Sequence, residues 1–313
     1  MSTLLIASLA SGDGRTTVAA SLGASLAQDG LRVLLLRVRS SSDPDAAAED
    51  DARALATVPG CAGRAAVSEQ DALAHAAETD VCVIEAPAGP PGELASRLSA
   101  KVILVGQAAD DQRLADLKTT AASFGDALVG VIITRQPVRR LASVRTALEE
   151  RGLTSLGVLP EDRLLAGPTV RELAEALHAS PLFENGEQDE AVEHVMIGPI
   201  SSDPGQPYFL QHGSKAVIHR SDKMDLHLAA LATEPECLIL TGVQQPSPYL
   251  IDRLAGGDLE ITVLQVPATT SNAVEALDDL YTSTRFTGRR KLERAIELCR
   301  EHVDMARLRA ALR

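Results

Sequence analysis

Residues 4–20 read LLIASLASGDGRTTVAA: an apolar run, a turn through Gly12 and Gly14, and a helical segment that opens Arg15-Thr16-Thr17. Glycines let backbone N–H groups curl around a phosphate, and a helix N-terminus adds partial positive charge. The stretch therefore predicts a strand, an anion-binding turn and a helix. A P-loop follows the pattern G-x-x-x-x-G-K-S/T, in which the lysine reaches the outer phosphates and the hydroxyl holds Mg²⁺. Gly14 and Thr16 fit, whereas Leu9 stands at the first glycine and Arg15 at the lysine. A guanidinium is planar and longer than an ammonium, so Arg15 suits holding a phosphate better than bridging phosphates during transfer. Three outcomes stay open at this loop: binding of a nucleotide or other phosphate, genuine turnover, and a structural turn that binds nothing. Should a metal enter, Thr16 is its expected ligand.

Outward from this turn, strand and helix alternate. Short β-rich runs at 31–37, 80–85, 101–106, 128–134 and 155–159 follow the first at 4–8, with helical segments at 15–28, 69–78, 92–99, 111–124 and 138–150. Such alternation predicts an α/β fold, a parallel sheet with right-handed crossovers and helices on both faces. LRVLLL, VCVIEA, KVILVG and LVGVIIT are almost continuously apolar, as strands covered on both faces must be. RSSSDPDAAAEDD, residues 39–51, is polar, acidic and broken by proline, and reads as a surface loop from which Asp43 and Asp45 are weaker metal candidates. After Pro160 the composition shifts. A helix at 169–178 and an exposed acidic loop at 183–190 lead into strands at 192–200, 216–219, 236–241 and 260–266, with helices at 224–233 and 248–255. These form a second, smaller α/β domain. Residues 289–313 set Leu292, Ile296, Cys299 and Val303 on one helical face, predicting a packing or dimer helix. The expected boundaries are 1–164, 165–280 and a helical tail at 281–313.

The bulk composition narrows the function. A chain of 313 residues with 45% hydrophobic residues and mean hydropathy +0.03 is long enough for two cores and too apolar for disorder. Aromatics make up 2%, with no tryptophan, which argues against a stacking platform for single strands. A net charge of −13 opposes broad contact with nucleic acid or anionic lipid. The basic run RFTGRRK at 285–291 reads as a solvated helix start. Cys61, Cys82, Cys237 and Cys299 form no C-x-x-C pair, so neither a zinc cage nor a disulfide framework is expected. No histidine pair has metal-ligand spacing; His219 and His227 are eight residues apart. The first apolar run is short and lacks a basic leader, and no later run is long enough to span a bilayer, so a cytoplasmic location is expected.

A second acidic position belongs to the loop. DVCVIEAPAG, residues 80–89, ends a buried strand with Glu85 beside a Pro/Gly turn, where α/β proteins place a carboxylate near phosphate and metal.

The glycine turn, LRVLLLRV (31–38), DVCVIEAPAGP (80–90), KVILVGQA (101–108), ALVGVIITRQP (127–137) and LGVLPEDRLLAGPTVRELAEAL (156–177) occur in that order. Together they resemble the dethiobiotin-synthetase-like P-loop domain at the N-terminus of long bacterial phosphotransacetylases. KMDLHLAALATEPECLILTG (223–242) resembles the DRTGG domain that follows it there. The resemblance implies a nucleotide such as ATP with Mg²⁺ at the loop, and its third part, the acyltransferase domain, has no counterpart here. It also marks departures. The family's loop lysine and its second lysine, usually followed by proline, are Arg15 and Arg37, the latter followed by Val38. The asparagine that helps hold adenine is Thr134, and the glycine after the matching Glu85 is Ala86. Three functional positions altered together, with positive charge kept, imply binding at Gly12, Gly14, Arg15, Thr16, Thr17, Arg37 and Thr134 without efficient catalysis.

In the second domain, KAVIHRSDKMDLHLAAL (215–231) carries the name-giving turn as Asp222-Lys223-Met224-Asp225, without the family's glycines. Asp222 is expected to cap the helix, with Lys223 and Arg220 available to an anion. Thr241 and Gly242 match the family's second turn and are expected at the same end of the sheet.

The leading expectation is a regulatory or sensor protein that reads a nucleotide or anionic metabolite and acts on its own association, as a homodimer, or on a partner enzyme. The rivals are an ATP-dependent ligase or ATPase of dethiobiotin-synthetase type, with Thr16 and Glu85 on Mg²⁺, and a scaffold whose loop binds nothing.

Overall fold

The computed structural model describes residues 2–39, 45–75, 79–89, 92–108, 110–199, 205–257, 259–278 and 280–313. The chain packs as two compact units, residues 1–162 with 292–313, and residues 163–291.

The first unit holds seven strands: β1 (Ser2–Ser8), β2 (Val33–Arg37), β3 (Cys61–Gly63), β4 (Val81–Glu85), β5 (Lys101–Gly106), β6 (Leu128–Gln136) and β7 (Ser155–Pro160). They pair in the order β3-β2-β4-β1-β5-β6-β7, all parallel. The helices between them are α1 (Arg15–Gln28), α2 (Asp45–Ala56), α3 (Glu69–His75), α4 (Gly92–Arg97), α5 (Asp111–Phe124) and α6 (Leu141–Glu150). One face of the sheet packs Leu5, Leu34, Ile84, Leu104 and Ile133 against Leu94, Leu117 and Leu148 of α4, α5 and α6. On α1, Gly23 lets the helix settle on β2, where an added Cβ would come within 2.6 Å of Leu35 Cδ2.

The stretch expected as a surface loop is helical from residue 45. In α2, Ala48, Ala52 and Leu55 are buried at i, i+4 and i+7, so DAAAEDDARALA is an amphipathic helix whose acidic exposed face disguises it. Asp43 lies outside the described residues, as does the side chain of Asp45.

The second unit has five strands, β8 (Ser180–Glu184), β9 (His194–Ile197), β10 (Lys215–Arg220), β11 (Cys237–Thr241) and β12 (Thr262–Val266), in the order β8-β12-β11-β10-β9. All pair in parallel except the edge strand β8, which runs antiparallel to β12 and was hidden in the sequence by Pro181 and flanking acidic residues. Its helices are α7 (Arg163–Ala166), α8 (Val170–Ala176), α9 (Gly205–Phe209), α10 (Met224–Leu231), α11 (Pro248–Ala255), α12 (Thr270–Leu277) and α13 (Leu280–Ser283). Val170, Leu173, Ala273 and Leu277 cover one face of the sheet; Phe209, Ala230, Leu250 and Leu254 cover the other.

The last segment forms α14 (Arg289–His302) and α15 (Met305–Ala311), broken at Val303 and Asp304. From Leu292 onward it belongs to the first unit. Leu292, Ile296, Cys299 and Val303 are buried, Asp304 N–H donates to the Leu156 carbonyl at 2.7 Å, and the Ser2 hydroxyl donates to the Leu312 carbonyl. The apolar stripe is therefore covered by this chain and offers no face for a second copy. The tail expected at 281–313 divides accordingly, residues 292–313 packing with the P-loop unit.

Candidate functional site

The turn after β1 enters α1 through two left-handed glycines, Gly12 at φ 80° and Gly14 at φ 92°. At Gly14 a Cβ would also lie 3.3 Å from Thr134 Cγ2, so glycine is needed for conformation and for space. The turn is fastened from inside. Asp13, 1% exposed, accepts from Ala10 N–H at 3.0 Å and pairs with Arg113 at 2.7 Å. Gln107 donates to the Gly12 carbonyl at 3.2 Å, and the Thr134 hydroxyl donates to the Asp13 carbonyl at 2.8 Å. One N–H donor of the turn is thus already used by a carboxylate. Thr134, at the position the resemblance assigns to adenine, is buried and closes the loop instead.

Next to the turn lies a group of four charged side chains, of which Arg15, Arg37 and Glu85 are buried and Asp51 is 32% exposed. β2 and β4 are paired so that Arg37 stands beside Glu85 at the strand ends, and Arg15 and Thr16 reach them from the first turn of α1. Asp51, on α2, completes the set. Arg15, 6% exposed, donates through Nη1 to the Ala86 carbonyl, and its Nε lies 4.0 Å from Glu85 Oε1. Arg37, also buried, has Nε 3.3 Å from Asp51 Oδ2 and 3.5 Å from Glu85 Oε1, and Nη1 donates to the Val38 carbonyl. The Thr16 hydroxyl is 3.1 Å from both Asp51 Oδ1 and Glu85 Oε1.

Arg15 and Arg37 stand against Glu85 and Asp51, as buried charges need opposite partners. The Thr16 hydroxyl has one proton for two carboxylate oxygens, so both contacts are hydrogen bonds only when one carboxyl is protonated. Burial, with Asp51 beside it, raises the Glu85 pKa to about 7 against the opposing pull of Arg15, Arg37 and Thr16. The other Glu85 oxygen, Oε2, has no hydrogen-bond partner among the described residues.

Thr16, Asp51 and Glu85 are oxygen donors of the kind a divalent ion takes. Arg37 already stands against both carboxylates, so the arrangement does not fit a metal at the position expected for Thr16 and Glu85. Among the described residues no group of three or more His, Cys, Asp or Glu side chains is placed to hold one. Of the expected residues, Arg15, Thr16, Arg37 and Glu85 are brought together; Gly12, Gly14 and Thr134 form the turn above them; Thr17 is half-buried in α1. Asp51, Asp13 and Arg113 were missed. The i, i+4, i+7 spacing of Ala48, Ala52 and Leu55 was the available signal for α2, and hence for Asp51.

In the second unit, Arg220 and Thr241 are register partners at the ends of β10 and β11. Asp222 does not cap α10. Its carboxylate takes a two-point bond from Arg220 at 3.0 and 2.6 Å, and the N-cap is Lys223 without a side-chain bond. Lys223 is half-buried and Asp225 is exposed. The Thr241 hydroxyl bonds the His219 carbonyl at 3.2 Å and Thr270 Oγ1 at 2.8 Å, and Gly242, at φ 106°, donates to the carbonyls of Val266 and Ala268. Below this turn His219 and His227 meet edge to face at 6.1 Å, with His219 Nε2 and His227 Nδ1 unpartnered among the described residues.

A family model described as the CobQ/CobB/MinD/ParA nucleotide binding domain matches residues 4–170, and the DRTGG domain matches residues 172–280. The phosphate acetyltransferase of Nitratidesulfovibrio vulgaris is 29% identical over 166 residues, covering 50% of this chain and 23% of that protein. The chain thus spans under a quarter of that relative's length. The MinC:MinD cell division complex of Aquifex aeolicus is similar over 53% of this chain and 83% of that one, at 17% identity and TM-score 0.39. A nucleotide-binding protein of Archaeoglobus fulgidus, solved with ADP, is similar over 51% and 82%, at 15% identity and TM-score 0.38. The CBS and DRTGG domains of Clostridium perfringens pyrophosphatase, solved with diadenosine tetraphosphate, are similar over 47% and 71%, at 16% identity and TM-score 0.31. Among the described residues no helix is long and apolar enough to cross a membrane.

Proposed function

We propose, for a chain that belongs to the CobQ/CobB/MinD/ParA nucleotide binding domain family and carries a DRTGG domain behind it, a regulatory or sensor role. In this role a nucleotide or anionic metabolite is bound without phosphoryl transfer. The observation that carries the reading is the placement of Arg15, whose guanidinium is buried, on the Ala86 carbonyl and beside Glu85. Transfer needs a cation among the outer phosphates, and the side chain at the motif's lysine position is engaged elsewhere. Backbone N–H groups of the turn and the dipole of α1 remain as the means of holding an anion. The rival, an ATP-dependent ligase or ATPase, has in its favour the carboxylates Asp51 and Glu85 around Thr16. It requires Arg15 to leave its partners. Any homodimer uses a surface other than the stripe on α14.

Calorimetric titration with ATP and ADP, beside a phosphate-release assay with Mg²⁺, tests this. Binding without turnover is the expected result. Steady hydrolysis that disappears in Arg15→Ala overturns it, and heat-silent titrations leave the scaffold. Arg15→Lys asks whether the motif lysine alone restores hydrolysis; the expected answer is that it does not, because Arg37 still occupies the carboxylates.

A further inference from the structure

We propose that Arg37 is a built-in replacement for the divalent cation of this loop: its guanidinium holds the carboxylates of Asp51 and Glu85 together and excludes Mg²⁺ or Mn²⁺ from them. The inference deepens the function proposed above and rests on the same loop. The donors come from three elements, Thr16 from the first turn of α1, Asp51 from α2 and Glu85 from the end of β4. Thr16 Oγ1 touches both carboxylates at 3.1 Å. Two carboxylates brought this close, one of them 1% exposed, repel each other and require a cation. Arg37 supplies it, with Nε 3.3 Å from Asp51 and 3.5 Å from Glu85. A divalent ion bonded to both carboxylates would have to share them with that guanidinium.

Charge bookkeeping agrees. Arg15 and Arg37 already stand beside Glu85 and Asp51, and a divalent ion would set two further positive charges next to those guanidiniums. The unpartnered Glu85 Oε2 is a donor left over in the set, available once the guanidinium is gone. A neutral side chain at position 37 therefore removes the guanidinium that stands beside both carboxylates and leaves an opening lined by oxygen, which is a cation site.

Mn²⁺ alone is the probe, followed by the loss of its free electron paramagnetic resonance signal on the full chain without nucleotide. The wild type is expected to take up no more Mn²⁺ than Glu85→Gln, which subtracts weak binding to the acidic surface. Arg37→Met is expected to bind one further equivalent at least tenfold more tightly than wild type, and Arg37→Met with Glu85→Gln to lose it. Wild-type uptake that Glu85→Gln removes overturns the proposal, as does a folded Arg37→Met chain that binds no more than wild type. Should Arg37→Met fail to fold, Arg37→Gln repeats the measurement, and the wild-type comparison with Glu85→Gln decides independently. With nucleotide absent, metal uptake refutes this inference while leaving the question of turnover to the hydrolysis assay.

Discussion

The two units place polar residues at the same structural address, the C-terminal ends of parallel strands, and treat them in opposite ways. Under the P-loop, Arg15, Arg37, Asp51 and Glu85 come from four elements and are drawn together largely out of water. At the turn after β10, Arg220 and Asp222 are two residues apart and close on each other in solvent. Charges removed from water must be matched one by one, so the first arrangement is a single interdependent group. The second can exchange its partner for an incoming anion at small cost. The loop that carries the nucleotide-binding motif is thus the more tightly closed of the two, and the open charges lie in the other unit.

The largest effect is expected from Glu85→Ala, which takes from the buried guanidiniums of Arg15 and Arg37 the carboxylate they share. The first unit should lose about 3–5 kcal/mol, read as a lower midpoint in urea unfolding. An effect below about 1 kcal/mol would mean that water reaches the group, and the contrast between the units would fail.

An intermediate effect is expected from pH in the second unit. Burial, followed by the neighbouring His227 and opposed by Asp225, pushes the His219 pKa from 6.5 down to about 4. The unfolded chain then binds a proton that the folded one refuses, so stability is full above about pH 6.5 and falls as pH drops toward 4, by about 3 kcal/mol in all. His219→Gln should flatten that slope in thermal unfolding followed from pH 7 to pH 4.5.

The smallest effect sharpens the same contrast. Asp222→Ala removes an exposed pair and should change stability by less than about 1 kcal/mol, even at low salt.

Much of this architecture is legible in the sequence, for reasons that also explain where reading fails. The buried parallel strands declare themselves through runs such as VCVIE, and Gly12, Gly14, Arg15, Thr16 and Glu85 fall at motif positions. What the motif could not convey is direction. Arg15 reads as a cation aimed at phosphate, and the fold turns it onto Ala86 because Glu85 lies there, seventy residues away in sequence. Asp51 was concealed because an acidic stretch with a proline looks solvated, although Ala48, Ala52 and Leu55 anchor its helix. Asp222 reads as a helix cap, but the adjacent strand end supplies Arg220, a stronger charged partner than two backbone donors. The stripe on α14 was recognised as apolar; its cover is the P-loop unit, a long-range pairing that no local pattern encodes.

The return of α14 and α15 to the P-loop unit has a consequence for synthesis on the ribosome. Residues 163–291 form an uninterrupted stretch and own every strand of their sheet, whereas the unit begun first still awaits Leu292, Val303 and Leu308. The inserted unit is therefore expected to mature earlier than the unit begun before it.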